Sequence, residues 1–456
     1  MPNARTRLIA VAIVAFCSAA AGFTVALQAE DWPQWRGVNR DAIWRDTGII
    51  DRFPEGGLRA TWRVPIRGGF AGPAVAGGRV FVLDYQETPG SRTMDGHERL
   101  LVLDEETGAE LWQAEWPATY RNIHIKFANG PRVTPTVDGD HVYILGAAGM
   151  LSCFDVASGG LVWRVDTTVD YDVTVPAFGV SQAPLVEGDV LIAQLGGEPD
   201  AMVVAFDRAT GEERWRAIEA RYEPGYSSPI VIEEGGVRQL IVWHAGGVAS
   251  LDPATGEAWW EYEFVVPSGL TISTPVRSGR YLLVSQIENG GLMLALNPDR
   301  PAARPLWEGA NPDRTDHPPQ GATLGTAVMA GGVMYGLSGY GEFRGVDAAT
   351  GEHLWSTWDM TPLERWGNSY LVQHEDRVFV INETGELLIA RFTPDGYEEI
   401  DRTLLMTPNT QTQGGASGRW DDRPVLWAHP AFANQHVVVR NETEVARLSM
   451  AASDYE

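Results

Sequence analysis

The chain has 456 residues, 44% of them hydrophobic, with 50 Gly and 28 Pro, a composition that supplies a large core and many turns but leaves no long segment of helical period. Asp and Glu number 60 against 35 Lys and Arg, a formal charge of −25, so phosphate backbones and anionic lipid are repelled and nucleic acid and bilayer surfaces are excluded as partners. With Cys17 and Cys153 its two cysteines, a disulfide framework is excluded as well.

In chain order, Arg5 and Arg7 precede an apolar run from Leu8 to Phe16 and small residues through Ala29. Residues 1–29 therefore read as a secretory signal peptide, with Ala29, in preference to Ala26, as the cleavage position. The apolar run is too short to cross a bilayer, and no later segment is long enough to be a membrane span. A lipid anchor needs a Cys after a small residue, whereas Cys17 follows Phe16. The expectation is a soluble exported protein, periplasmic or secreted, and monomeric. Cys153, alone after cleavage, reads as a small buried residue on a strand.

Residues 30–57 form an N-terminal extension, and Leu58 to Pro65 reads as a strand carrying Trp62 with no neighbours of its own in sequence. From Pro73 onward one pattern recurs: two apolar strands around a tight Gly, Asn or Asp turn, as in Pro73-Ala-Val-Ala-Gly-Gly-Arg-Val-Phe-Val. Further copies begin at Pro135, Pro184, Pro229, Pro275, Ala327, Leu371 and Pro430. A second pattern follows, a strand ending in Asp, a Thr-Gly or Ser-Gly turn, then a strand with Trp, as in Asp104-Glu-Glu-Thr107-Gly108 leading to Trp112. The fifth copy reaches Trp307 through Asn297-Pro-Asp, a turn without glycine.

Trp62, Trp112, Trp163, Trp215, Trp260, Trp307 and Trp355 lie 45 to 52 residues apart. Four strands in such a period make one blade of a β-propeller. The seventh copy keeps a turn at Asn382-Glu383-Thr384-Gly385 without its Trp, and the eighth lacks an outer strand. Closing the ring with the N-terminal strand removes the exposed edge. The expected fold is an all-β, eight-bladed propeller of four-stranded antiparallel blades over residues 58–451, with a tail at 452–456.

Catalytic signatures are sparse. No H-E-x-x-H, C-x-x-C, Walker loop or G-x-S-x-G occurs, and the nine His never fall at metal-ligand spacing, so no metal site is expected. Asn311-Pro-Asp313-Arg-Thr-Asp316-His317 reads as a solvated acidic loop, and the sequons at Asn382 and Asn441 as turns. Trp243, Trp366, Trp420 and Trp427 lie outside the repeat position. Inner strands of a propeller line its axis, so residues just ahead of them are the candidate ligand site. In order these are Arg132, Gln182, Tyr226 with Ser228, Ser273, Thr323, Arg365, Trp366 with Asn368, and Trp427 with His429. Trp243 and His244, at the end of the fourth copy's second strand, join them as candidates. Guanidinium groups and aromatic faces suit a small anionic, quinone-like or sugar-like ligand.

The Asp-x-x-Thr-Gly-x-x-x-x-Trp units resemble the blade repeat of the pyrroloquinoline quinone (PQQ) propellers, from Leu58 to about Ala451. That family includes quinoprotein dehydrogenases, the exported barrel-assembly lipoprotein of the outer membrane, and exported proteins whose opening looks like Asp31-Trp32-Pro-Gln-Trp35-Arg36-Gly37. The resemblance implies that each repeated Trp docks one blade on the next by ring packing and a hydrogen bond. It also implies two functional readings. One is a non-catalytic scaffold offering a ring face to a protein partner or a small ligand, with no cofactor. The alternative is a PQQ-dependent oxidoreductase of alcohols or sugars, with PQQ and calcium at the channel mouth, Arg132 or Arg365 on the quinone carboxylates, Trp366 stacking, and His429 or an acidic neighbour as base. Adjacent cysteines, common in the dehydrogenases, are absent, and no Glu, Asn and Asp set matches their calcium ligands.

Overall fold

A computed structural model describes residues 29–123, 130–286, 290–309, 325–364, 366–411 and 423–456. The segment read as a signal peptide, through residue 28, the stretch from Asn311 to His317, Thr323, Arg365 and Trp420 lie outside the described residues. Eight four-stranded antiparallel sheets form the propeller. Blade one comprises Ala74–Ala76, Arg79–Glu87, Asp95–Asp104 and Glu110–Thr119. Blades two to seven occupy residues 136–166, 185–217, 230–263, 276–308, 328–357 and 369–404.

Blade eight takes Ala431–Ala433, His436–Arg440 and Glu444–Ser449 from the C-terminus and Ala60–Pro65 from the other end of the chain. The borrowed strand is antiparallel to Glu444–Ser449, with Val64 opposite Val445. Ring closure thus joins the two ends of the chain and leaves the eighth blade no unpaired third strand. Cys153 is buried on the third strand of blade two, where burial pushes its thiol up to about 12.

The repeated outer turn has a local cause. Asp104 accepts from the Thr107 N–H at 2.9 Å and the Thr107 hydroxyl at 2.6 Å, and these bonds hold its carboxyl below the usual range. Gly108 then turns with φ +71°, a region closed to most side chains. A Cβ there would also sit 2.8 Å from the Trp62 indole, which belongs to blade eight. Trp62 Nε1 donates to Glu105 O of the same turn at 2.8 Å.

The cross-joint indole bond repeats around the ring. Trp112 donates to Val156 O, Trp163 to Arg208 O, Trp215 to Pro253 O, Trp307 to Ala348 O and Trp355 to Thr393 O, all at 2.9–3.2 Å. Trp260 differs. Its Nε1 donates at 2.9 Å to Gln239 Oε1 within its own blade, and the facing turn of blade five, Asn297 to Arg300, has no glycine over which an indole can lie.

One turn falls elsewhere than its sequence pattern places it. Asn382 to Gly385 joins the second and third strands of blade seven, Arg377–Asn382 and Glu386–Thr393, and the outer turn is Thr393 to Gly396. Both kinds of turn call for an Asx cap and a glycine of positive φ, so the motif alone does not separate them. Asn382 Oδ1 accepts from Glu386 N at 3.0 Å, and Asn441 Oδ1 accepts from Glu444 N at 2.9 Å in the equivalent turn of blade eight. Both side chains are buried in their turns.

Residues 30–50 run across the axis. Trp32 exchanges two 2.9 Å backbone bonds with Val75 of blade one, and Pro33 O accepts from Val137 of blade two. The Arg40 guanidinium donates to Ala183, Pro184 and Pro229 carbonyls at the head of the inner strands of blades three and four. Ala42 and Trp44 bond with Gln373 of blade seven, and Asp46 accepts from Gln435 N of blade eight. Asp31 accepts from Gly77 N in the first turn of blade one, so the segment enters on the face carrying the first-to-second-strand turns. Arg36, Arg40 and Ala42 sit at φ 60°, 57° and 55°. Non-glycine residues there cost about 1 kcal/mol or more each, held by surrounding contacts.

Candidate functional site

In six blades the residue three places ahead of the inner strand's leading proline faces one cavity of about 200 Å³: Phe70, Arg132, Ser181, Tyr226, Ile272 and Trp427. Equivalent positions in a ring of inner strands converge at one mouth of the axis, and this spacing is the sequence signal for the site. Phe178, Ser228, Leu270, Trp366, Tyr370 and His429 complete the wall, and Trp35 of the axial segment reaches it from the opposite side.

Arg132 lies over the Phe70 ring, its Cζ 5.4 Å from the centroid, and its Nε donates to Phe178 O at 2.6 Å. Its Nη2 is buried with no partner among the described residues. Burial lowers the guanidinium pKa. Tyr226 OH accepts from Phe178 N at 3.4 Å, and the two rings meet edge to face at 5.8 Å.

Trp427 is fixed from behind. Its Nε1 donates to Glu383 at 3.1 Å, and Glu383, 2% exposed, also accepts two bonds from Arg423. Burial raises the Glu383 pKa, against the pull of Arg423. Phe70 stands 6.4 Å from Trp427, and Tyr370 donates its hydroxyl proton to Trp427 O.

His429 lies between Trp35 at 4.6 Å and Tyr370 at 4.8 Å, ring centre to ring centre. Burial first, and Arg36 second, push its pKa down to about 3, so the ring is neutral. Its Nδ1 is 2.7 Å from Pro430 O; a carbonyl only accepts, so Nδ1 carries the proton and Nε2 is left as an acceptor. The Trp35 Nε1 donates to Thr274 Oγ1 at 2.8 Å.

Of the residues singled out from sequence, Arg132, Tyr226, Ser228, Trp366, Trp427 and His429 come together on this wall. Gln182 and Asn368 are buried but do not line it; the Gln182 amide bridges to Gly225 O and Ser181 N. Ser273 donates to Ser285 O inside blade five. Trp243 is enclosed in the core between blades four and five, and His244 accepts from Gly246 N in its own turn, pushed by burial down to about 4. Neither lines the cavity. Arg365 lies outside the described residues.

Sequence reading passed over Trp35, Phe70, Phe178, Ser181, Leu270, Ile272 and Tyr370. The three-residue offset from proline marks Phe70, Ser181 and Ile272; nothing local marks Trp35.

The described wall does not fit a quinone with its calcium. Ca²⁺ takes six to eight oxygen ligands, and no carboxylate or amide side chain is among the lining residues. Among the described residues, no three His, Cys, Asp or Glu side chains are placed to hold a metal ion, and no helix is long and apolar enough to cross a membrane.

A family described as outer membrane protein assembly factor BamB matches residues 96–322 and 244–453. The outer membrane protein assembly factor BamB of Burkholderia pseudomallei is 25% identical over 308 residues, which cover 58% of this chain and 76% of that protein. The structure of BamB from Moraxella catarrhalis superimposes with a TM-score of 0.55 at 15% identity, covering 86% of this chain and 99% of that one. The quinohemoprotein alcohol dehydrogenase of Comamonas testosteroni gives 0.60 at 15% identity, over 92% and 80% of the two chains. At these identities the two structures share the fold with this chain.

Proposed function

We propose that this chain, which belongs to the family described as outer membrane protein assembly factor BamB, is an exported, non-catalytic propeller that offers its ring to a protein partner and holds a small ligand at one mouth of its axis. The observation that carries the reading is the chemistry of the cup. A general acid or base works best with a pKa near the operating pH. Here His429 is pushed down to about 3 and Tyr226 up to about 12 by burial, and the Tyr370 pKa is raised further. Among the described lining residues, none is poised to exchange a proton near neutrality.

The family name supplies the second support. An assembly factor acts by binding other proteins, and a ring whose blades are locked by their outer turns and by residues 30–50 is a rigid surface for that. Export rests on the residues 1–29 pattern, with the mature chain beginning at Glu30 and residing in a periplasm or outside the cell. The repeated tryptophans are read as the joints that keep the ring rigid.

The test is titration of the purified protein with PQQ, with and without Ca²⁺, beside a dye-coupled screen of alcohols and sugars. No Ca²⁺-dependent binding and no turnover are expected. Saturable Ca²⁺-dependent binding with substrate oxidation would replace the scaffold with an oxidoreductase.

A further inference from the structure

We propose that the cup takes a small aromatic monocarboxylate, its carboxylate on the Arg132 guanidinium and its ring among Phe70, Trp366 and Trp427. The inference deepens the ligand-site reading above and rests on it. Arg132 has spent Nε on Phe178 O, while Nη2 is buried and unpaired among the described residues. A buried donor without a partner is costly, more so on a charged group. No carboxylate is among the described lining residues, so the countercharge has to arrive with the ligand. Guanidinium matches a carboxylate in a planar, two-bond arrangement.

The rest of the wall selects the body of the ligand. Phe70 and Trp427 are 6.4 Å apart, with Trp366 against them, and aromatic rings pair at centroid separations of about 4.5–7 Å. A sugar calls for several amide or carboxylate partners, which the described wall lacks. A second carboxylate would be buried with no cation facing it on the described wall, and so carries a desolvation penalty. His429 Nε2, an acceptor, favours a ligand hydroxyl over a second anion.

Isothermal titration tests this with benzoate and 4-hydroxybenzoate, against benzamide as the neutral isostere and succinate as a non-aromatic dianion. The aromatic carboxylates should bind at one site per chain, and benzamide and succinate about tenfold or more weakly. Arg132→Gln should weaken benzoate by about tenfold or more and leave benzamide unchanged. Arg132→Lys, with charge kept and the fork lost, should fall between, which separates binding from misfolding once melting curves match. Benzamide equal to benzoate, or a folded Arg132→Gln with unchanged benzoate affinity, would overturn the ligand class while leaving the cup a ligand site. Succinate binding through Arg132 more tightly than benzoate would overturn the aromatic part. Binding by none of the four probes would overturn both the class and the ligand-site reading.

Discussion

The joint between blades three and four and the joint between blades four and five begin with the same residue type in the same place and end differently. Trp215 lies over Gly256 and bonds Pro253 O across the joint at 3.2 Å. Trp260 faces a turn with no glycine and bonds Gln239 in its own blade. Trp62, Trp112, Trp163, Trp215 and Trp307 each cross the joint over a turn glycine that offers a surface without a Cβ, whereas Trp355 reaches Thr393 O without lying over Gly396. In those five joints Trp and Gly work as a pair, although the two lie forty to fifty residues apart in the chain.

The joint between blades seven and eight shows a third solution. Asp401 occupies the strand position that Trp holds elsewhere, just after the bulge, and accepts from Phe53 N at 2.9 Å. The N-terminal arm fills the gap, with Ile49 and Ile50 in the core beside Leu387 and Ile389, and Arg377 bonding Ile50 O and Asp51.

These differences set the expected effects. Trp215→Ala should cost about 3–5 kcal/mol in chemical denaturation, as buried aromatic truncations do, and Trp260→Ala, being partly exposed and bonded within one blade, roughly half that. Equal losses at both sites would mean that crossing the joint adds nothing. Ile50→Ala should cost about 2–4 kcal/mol, since the arm stands in for the indole at the last joint; a change near zero in the denaturation midpoint would make the arm a passenger.

Gly256→Ala should cost about 2–3 kcal/mol, from its φ of +75° and a Cβ 2.5 Å from the Trp215 ring. Gly279→Ala, at φ +56° in open space, should cost only the backbone share, about 1 kcal/mol. If thermal melting shifted alike for the two, the glycine would serve its turn and not the indole above it.

The ring was legible because its signals are local: alternating strands, Gly-rich hairpin turns and the Asp cap each declare themselves within a dozen residues. Strand Ala60–Pro65 was legible for a different reason, since a Trp strand without a blade and a blade without an outer strand complete one another. Asn382 to Gly385 misled because two different turns of a blade use the same cap and the same glycine. The cup is assembled from positions more than 350 residues apart, Phe70 to His429, so six of its members fall into line only when one offset from the repeated proline is followed through the six blades that carry it. Trp35 has no such offset. Its place depends on Arg40 and Trp44 anchoring the segment across the axis, a tertiary event that neither residue announces.

The smallest effect tests the exception. Gln239 Oε1 accepts from both Trp260 Nε1 at 2.9 Å and Ser250 Oγ at 2.7 Å, so Gln239→Leu alone mixes two losses. A double-mutant cycle of Gln239→Leu with Trp260→Phe isolates the indole bond. The coupling should be about 0.5–1 kcal/mol, the net worth of one partly buried neutral hydrogen bond. A coupling indistinguishable from zero, with Trp260→Phe still destabilising, would place the bond across the joint to blade five, and would restore to the fourth joint the geometry of the other six tryptophans.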